Sequence, residues 1–465
     1  MEGHPSYPAG LSPCIANLRN SSHTQLHQTC HRLHNATLAR PVWLSLVQWY
    51  SATIQPRPFI PEKPLNLYTN RELEHLVLNG QRGRAVCGLA QSKERTSPIY
   101  PQSAHLVEGG RWLLFGMRDG SVKYHDLNAS GKTSEAVTLV PTVFDEGART
   151  ITMLSVDMDP DAEYVMFNLG IMTWAPPEDQ PDHSNLPLFD RWIEVYRVTP
   201  HWDENGQAEG LQAERLARFR EAYMYGCSSF TLRGCHVAYS LYSLPPIVTS
   251  NGQNIVIVDW TSADSDSTSL AYSRRVVRRC RVEVSCLFYS SQAPRFDEPQ
   301  WLALLPDDRL LCYNGYEILL FDLTNVPMTK FLPTNPNHLP RQPAVASLQL
   351  YASAISPPYF VHDSIRFSLV TREGITGLIV PRSRSLAART MDHVNLFSVP
   401  NFCNSSYVGY DRAILHCFPN PIILRYVWPE QHSSFHISPK STIQTLYCSL
   451  DNSSNRALVL THQVL

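Results

Sequence analysis

Short apolar segments with the composition of β-strands recur along the chain at a nearly constant interval. The segments that end at Asp126, Arg197, Asp259 and Asp322 are separated by 71, 62 and 63 residues. Further strand-like segments accompany them, so the repeated unit is a small antiparallel sheet. Units of two to four strands at such a spacing are typical of a β-propeller, in which each sheet packs against its neighbours. The sequence therefore predicts a mainly β fold, a β-propeller of about seven blades.

The clearest strand pair lies at residues 111–127, where Asp119-Gly120 separates two apolar segments. An Asp-Gly pair favours a tight hairpin because both residues tolerate a positive φ. Further candidate strands lie at 192–198, 235–240, 254–260, 301–305 and 317–323, and weaker ones at 365–380, 411–427 and 443–460. An irregular pair of packed β-sheets is the alternative to a propeller.

One segment, residues 208–223, gives conflicting indications. Its composition favours a helix, and Glu214 and Arg218 have the spacing of a helical ion pair. Its position within a repeated unit requires a strand instead. We predict a strand, because tertiary context overrides intrinsic propensity.

The chain before the propeller is predicted to contain short helices. Thr69 and Glu72 have capping-box spacing and Gly80 is a typical helix end, so a helix is expected at 70–79. The predicted organisation is disordered residues 1–20, short helical segments in 21–50, a Pro-rich linker with one helix in 51–84, and the β-propeller-like domain in 85–465.

Composition argues against several classes of protein. The net charge is −2, which disfavours general nucleic-acid binding, and no apolar stretch is long enough to cross a bilayer. Residues 1–20 lack the features of a signal peptide, so an intracellular location is expected. The eleven cysteines contain no C-x-x-C pair and are predicted to be reduced, mostly buried thiols.

No motif for catalysis, a cofactor or a metal stands out. Ser130-Gly131-Lys132-Thr133 resembles the end of a phosphate-binding loop, but Asp126 occupies the position where that loop needs glycine. Four histidines, His23, His27, His31 and His34, fall on nearby positions of a predicted helix; an exposed face is a simpler interpretation than a metal site. We predict no catalytic residues, cofactor or metal, although a dispersed active site in a propeller-fold enzyme is a further alternative.

Five arginines fall within eight residues: Arg274, Arg275, Arg278, Arg279 and Arg281. Such a group could form a basic binding patch for an acidic peptide, a phosphate or a nucleic acid, because guanidinium groups bind anions bidentately. Alternatively, these side chains are simply solvated and protect an edge strand from pairing with other chains.

The N-terminal region resembles the second half of an F-box. The similarity lies in Leu26, Thr29-Cys30, Leu33 and the pair Val42-Trp43. The Thr69–Glu74 segment and the Gly109–Leu113 segment are also similar to fungal F-box proteins with a β-rich C-terminal domain. The first half of an F-box, with its Leu-Pro-x-Glu start, has no recognisable counterpart in residues 1–20.

This resemblance implies a substrate receptor of a cullin-RING ubiquitin ligase, which binds a Skp-type adaptor and cullin together with an unidentified protein substrate. The residues that it assigns to the adaptor contact are Leu26, Cys30, Leu33, Leu38, Val42 and Trp43. Trp43 would be the anchor, because buried aromatic side chains dominate interface energetics. A free-standing β-propeller scaffold without a role in ubiquitin transfer is the alternative.

Overall fold

The computed structural model describes most of the propeller and the two helices before it. The described residues, apart from a few short gaps within these ranges, are 39–53, 60–85, 101–174, 189–243, 254–263, 273–278, 301–330, 342–383, 391–398, 404–429 and 442–445. The predicted disordered segment 1–20 and the phosphate-loop-like segment at 130–133 lie outside them.

Two α-helices precede the sheets. Helix α1 spans Arg40–Thr53, a 3-10 turn spans Leu65–Leu67, and helix α2 spans Asn70–Ala85. The capping box at the start of α2 is confirmed: the backbone N–H of Thr69 donates to Glu72 Oε2 at 2.7 Å, and the N–H of Glu72 donates to Thr69 Oγ1 at 3.3 Å. The expected end at Gly80 is wrong, because α2 continues to Ala85.

The rest of the described chain forms six antiparallel sheets of four or five strands. Sheet 1 contains β1 (Ser103–Leu106), β2 (Trp112–Gly116), β3 (Val122–Asp126) and β4 (Val137–Val140). Sheet 2 contains β5 (Ile151–Met158), β6 (Phe167–Trp174), β7 (Phe189–Trp202) and β8 (Ala208–Tyr223). Sheet 3 contains β9 (Tyr225–Arg233), β10 (His236–Ser243), β11 (Asn254–Asp259) and β12 (Arg274–Arg278).

The remaining sheets follow the same order. Sheet 4 contains β13 (Trp301–Leu305), β14 (Arg309–Tyr313), β15 (Glu317–Asp322) and β17 (Ala346–Gln349), while the short β16 (Met328–Thr329) joins sheet 3. Sheet 5 contains β18 (Ala352–Ile355), β19 (Tyr359–Val361), β20 (Ser364–Thr371), β21 (Gly374–Pro381) and β22 (Asp392–Ser398). Sheet 6 contains β23 (Asn404–Val408), β24 (Arg412–Cys417), β25 (Asn420–Arg425) and β26 (Thr442–Thr445).

Consecutive sheets meet through their first strands. Strand β1 contacts β5, β5 contacts β9, β9 contacts β13, and β18 contacts β23. Sheets 4 and 5 are joined by Tyr313, whose hydroxyl donates to Ala352 O at 2.6 Å and accepts from Ala352 N–H at 2.8 Å. Small sheets that follow one another in chain order and meet at their first strands form a β-propeller. The predicted fold class is therefore confirmed, and the described residues include six of its blades.

Apolar side chains fill the space between neighbouring sheets. Val107, Trp112 and Phe167 belong to the core between sheets 1 and 2, whereas Met172, Phe219 and Val237 belong to the core between sheets 2 and 3. Further cores lie between each of the next pairs of sheets. This arrangement explains why inner strands such as β2, β6, β14 and β20 are buried on both faces: each of these sheets packs against neighbouring sheets.

The repeat found in the sequence corresponds to the third strand of each of the first four sheets. Asp126, Asp259 and Asp322 end β3, β11 and β15, and Arg197 lies near the end of β7. Asp259 Oδ1 accepts hydrogen bonds from the N–H and hydroxyl of Thr261, and Asp322 accepts the same pair of bonds from Thr324. These turns explain the aspartates that end β11 and β15, because Asx turns favour that residue, whereas Asp126 pairs with Arg111.

Candidate interaction surfaces

A small apolar core joins α1 to α2. Trp43 is 2% exposed and packs with Val47, Leu73 and Val77. Trp43 therefore packs on residues 70–79 within the isolated chain, as expected for such a large apolar side chain. Trp43 is thus a structural residue of the helix pair, and its predicted role as a directly accessible adaptor anchor conflicts with this burial.

Other predicted adaptor residues occupy different positions. Val42 is half-buried on α1, whereas Leu26, Cys30, Leu33 and Leu38 lie outside the described residues. Val42, Leu46 and Trp49 have the spacing of one face of α1, although Leu46 also packs against the core of the helix pair. Trp49 is 53% exposed. Sequence reasoning did not identify Trp49, although its spacing from Val42 was a usable signal.

Arg40 fixes the loop between the helices. Its guanidinium group donates to Leu65 O at 2.7 Å and also to Tyr68 O. The Tyr68 hydroxyl accepts hydrogen bonds from the backbone N–H groups of Glu62 and Lys63. These contacts give the Pro-rich connection between the helices a defined conformation. We call this segment, residues 60–68, the bracket.

Lys63 attaches this bracket to the propeller. Its ammonium group is largely buried and donates to Glu72 Oε1 at 2.9 Å and to Gly206 O at 3.2 Å. The hydrogen bonds from Lys63 and Thr69 outweigh desolvation and lower the pKa of Glu72. One lysine therefore links the start of α2 to the β7–β8 turn of sheet 2.

Arg111 provides a second attachment, at the β1–β2 turn of sheet 1. Its guanidinium group contacts Glu62 at 2.6 Å and Asp126 at 2.8 Å. The Val165 N–H also donates to Pro61 O at 2.9 Å. The helix pair is thus fixed to sheets 1 and 2 by contacts from three consecutive residues, 61–63.

A cavity of about 370 Å³ lies where β1, β5 and β9 begin. Its lining residues are Gln102, Ser103, Ile151, Thr152, Met153, Leu154, Trp174 and Cys227. The lining is mainly apolar with a few polar groups, as is common in sites for small ligands or inserted side chains. Arg191 is buried behind Trp174, with its guanidinium carbon 5.6 Å from the centre of the indole ring.

The predicted basic patch at 274–281 is not an exposed cluster where the structure describes it. Arg274 is 1% exposed. Arg275 faces Asp308 at 3.4 Å and donates from Nε to Met328 Sδ at 3.2 Å. Because successive side chains of a strand point to opposite faces, Arg274 and Arg275 cannot act together on one ligand. Arg278 ends β12, and Arg279 and Arg281 lie outside the described residues.

Cys235 and His236 form an adjacent thiol–imidazole pair after β9. The distance from Cys235 Sγ to His236 Nδ1 is 3.3 Å. Desolvation and the nearby Asp259 raise the pKa of the Cys235 thiol, while burial lowers the pKa of His236. A nucleophilic cysteine requires the opposite shifts, so this pair does not have the electrostatics of a catalytic dyad.

No three His, Cys, Asp or Glu side chains within the described ranges are grouped so that they could hold a metal ion. No described helix has both the length and the apolar character needed to cross a membrane.

No family model matches the sequence, and no curated protein matches it. Solved structures with a similar fold include the β-propeller domain of Cps50 (Swd1) from Myceliophteria thermophila, with TM-score 0.40 and 11% identity, covering 72% of this chain and 88% of that one. For the WD40 domain of SCAP from fission yeast, the TM-score is 0.31 and the identity is 11%, and the match covers 76% of this chain and 89% of that chain. For the WD40 repeats of RRP9, the TM-score is 0.28 and the identity is 9%, and the match covers 69% of this chain and 88% of that chain.

Proposed function

We propose that this protein is a non-catalytic protein-interaction scaffold. The observation that carries the proposal is the fixed attachment of a helix pair to the propeller through Glu62, Lys63 and Arg111. A helical module held in this way would keep a constant geometry between one partner on the helices and another on the propeller. The cavity at the start of β1, β5 and β9 could receive a side chain of a target protein.

Ile151 provides a direct test of the cavity. It lines the cavity and is partly exposed, so Ile151→Glu should place a charge at the opening without disturbing the buried core. Val427→Glu is the matched control, since Val427 is an exposed apolar residue after β25. Proteins that co-purify with the wild-type chain and with Val427→Glu should be lost from Ile151→Glu. Identical sets of partners from all three chains would reject the cavity as the binding site.

The more specific form of the proposal is the substrate receptor of a cullin-RING ubiquitin ligase. It is supported by the F-box resemblance and by the apolar row of Val42 and Trp49 on α1, which offers a surface to a Skp-type adaptor. Because Trp43 already packs inside the helix pair, the adaptor contact would use this row. In this role the propeller selects the protein substrate, and cullin joins through the adaptor.

Calorimetric titration of a purified Skp-type adaptor into the full chain tests that role. We expect weak binding, with Trp49→Ala lowering the affinity about tenfold or more. Ser45→Ala, which changes an exposed side chain of the same helix, should leave the affinity unchanged. Circular dichroism of each variant establishes that the helices are intact. No heat with the folded wild-type chain at high micromolar concentration would reject the receptor role and leave the general scaffold.

A further inference from the structure

Arg366, on β20, is a buried cation that no carboxylate neutralises in the described structure. It is 6% exposed, and its guanidinium group donates from Nε to Ser364 Oγ at 3.3 Å and from Nη1 to the Tyr410 hydroxyl at 3.1 Å. Within the described ranges, these hydroxyl groups and the Trp428 ring are its only side-chain partners. The second terminal nitrogen, Nη2, has no acceptor in that part of the chain and keeps contact with solvent. One donor of a largely desolvated cation is therefore open to a ligand.

Other arginines of this protein are satisfied more completely. Arg111 contacts the carboxylates of Glu62 and Asp126. Arg309, which is 4% exposed, donates from all three nitrogens to backbone carbonyl oxygens. Removing a charge from water is costly unless the charge is paired and its hydrogen bonds are made. Arg366 has two neutral hydroxyl groups instead, so a bound anion would supply the charge that the described chain does not.

Aromatic rings lie beside this guanidinium group. Its central carbon is 5.2 Å from the centre of the Trp428 ring, and Trp428 stacks on Tyr410 with ring centres 5.5 Å apart and planes 12° apart. Tyr359 meets Tyr410 edge to face at 5.3 Å. Stacking and the two hydroxyl contacts hold the guanidinium group in one orientation, so less entropy is lost when an anion binds.

The fold brings these residues together between sheets 5 and 6. Residues 356–358, which include two prolines, separate β18 from β19, so β18 pairs with the end of β20 and β19 with its start. Tyr359 is thereby the direct cross-strand partner of Arg366, and such partners share a face of the sheet. Tyr410 lies in the β23–β24 turn. Tyr359 and Tyr410 are half-buried, so part of each residue borders solvent at this site.

We propose that Arg366 binds a carboxylate, and that Tyr359 and Tyr410 contact the apolar part of the same ligand. One guanidinium group balances the single charge of a carboxylate, whereas a phosphate carries nearly two charges and three acceptor oxygens. Asp363 and Asp411, at neighbouring turns, do not pair with Arg366 and would further disfavour a dianion. The carboxylate can belong to a free small acid or to an acidic side chain of a partner protein. The site shares no residue with the cavity or with α1, so its failure would leave the scaffold role intact.

Saturation-transfer NMR titrations of the full chain with three matched probes test the choice of ligand. Benzoate carries the carboxylate, benzamide is its neutral counterpart, and phenyl phosphate carries the dianion. Benzoate should bind, benzamide should bind about tenfold or more weakly, and phenyl phosphate should bind no more tightly than benzoate. No transfer to benzoate at tens of millimolar, equal affinity for benzamide, or tighter binding of phenyl phosphate would overturn the proposal.

A fourth probe distinguishes the two sources of the carboxylate. It is glutamate with an acetylated amino group and an N-methylamide in place of its main-chain carboxyl, so the side chain alone is charged. Tighter binding of this probe than of benzoate assigns the site to an acidic side chain of a partner. Weaker binding assigns it to a free aromatic acid.

Variants of Arg366 test whether it forms the site. Arg366→Met removes the charge at similar length and should lower the benzoate affinity about tenfold or more. Arg372→Met is the matched control: Arg372 is an exposed arginine of the same sheet, with its guanidinium carbon 4.7 Å from the centre of the Tyr351 ring. It should bind benzoate like wild type.

A second measurement separates binding from folding. Benzoate should raise the urea midpoint of unfolding for wild type and Arg372→Met but not for Arg366→Met, because a ligand stabilises the folded state that binds it. Arg366→Lys keeps the charge but loses the planar fork, and it should bind benzoate more weakly than wild type even if Arg366→Met fails to fold. Equal benzoate affinity in wild type and in the folded Arg366 variants would overturn the proposal.

Discussion

The side-chain amide of Gln102 pairs with the backbone around Thr152 in the way that a neighbouring strand would. Its Oε1 accepts from the Thr152 N–H at 2.6 Å, and its Nε2 donates to Thr150 O at 2.7 Å. The hydroxyl of Ser103 continues the pattern by donating to Thr152 O at 3.0 Å. Sheets 1 and 2 are therefore connected by hydrogen bonds at the cavity as well as by their apolar core.

We predict that Gln102→Ala lowers the free energy of unfolding by about 1 to 3 kcal/mol, because it removes two hydrogen bonds to β5. Gln102→Glu should destabilise at least as much at pH 7, since a carboxylate oxygen would replace the donor that faces Thr150 O. Urea denaturation followed by tryptophan fluorescence measures both. Gln349→Ala, at an exposed position of β17, is the control and should change stability by under about 0.5 kcal/mol. Equal stability of Gln102→Ala and wild type would contradict the prediction.

Trp43 and Trp49 should respond very differently to the same substitution. Trp43→Ala removes the centre of the helix-pair core and is expected to destabilise that unit by about 3 to 5 kcal/mol. Trp49→Ala changes a side chain that is 53% exposed, and we expect a loss under about 1 kcal/mol. Circular dichroism and hydrogen exchange of α1 and α2 measure the difference. A similar loss of protection in both variants would argue against the observed packing.

The attachment of α2 should weaken at acid pH. The pKa of Glu72 is lowered in the folded protein from its ordinary value of 4.5, so the unfolded state binds more protons as the pH falls. The contribution of Glu72 is therefore complete above about pH 4.5 and is lost as the pH falls through the lower folded pKa. Unfolding free energies at pH 7, 4.5 and 3 should show a steeper decrease for wild type than for Glu72→Gln. An equal decrease of the unfolding free energy in wild type and Glu72→Gln would exclude this contribution of Glu72.

Gly377 allows sheets 5 and 6 to approach closely. A Cβ atom at this position would lie 2.5 Å from Trp428 Cζ3, well inside normal contact distance. We expect Gly377→Ala to destabilise the protein by about 1 to 3 kcal/mol through overpacking. The double variant Gly377→Ala/Trp428→Leu should lose less than the sum of the two single variants, as a double-mutant cycle measures. Additive losses would show that the two residues do not compete for the same space.

Features that depend on neighbouring residues in the chain could be predicted from the sequence. The Asp119-Gly120 turn forms with Gly120 at φ +84°, and Thr69 and Glu72 form the expected capping box. In each case a short-range hydrogen bond or a φ value favours one residue type. The repeat of Asp126, Asp259 and Asp322 was equally informative, because these aspartates end the third strands of sheets 1, 3 and 4, and the last two form the same Asx turn.

Intrinsic propensity was a poor guide where pairing with another strand determines the conformation. Residues 208–223 have the composition of a helix, yet they pair along their length with β7. That pairing aligned Arg215, Arg218 and Arg220 on one face, a relationship that helical spacing conceals. The same lack of long-range information affected Arg274 and Arg275, which the sequence grouped together and the strand places on opposite faces.

The strand-rich character of the chain, its repeat, its tight turns and the start of α2 depend on residues close together in the chain, so they can be predicted from the sequence. The burial of Trp43, the exposure of Trp49 and the attachment of the helices through Lys63 and Arg111 emerge only in the folded protein. Burial and ion pairing depend on residues distant in sequence, and one apolar or charged side chain looks the same in either setting until its neighbours are known.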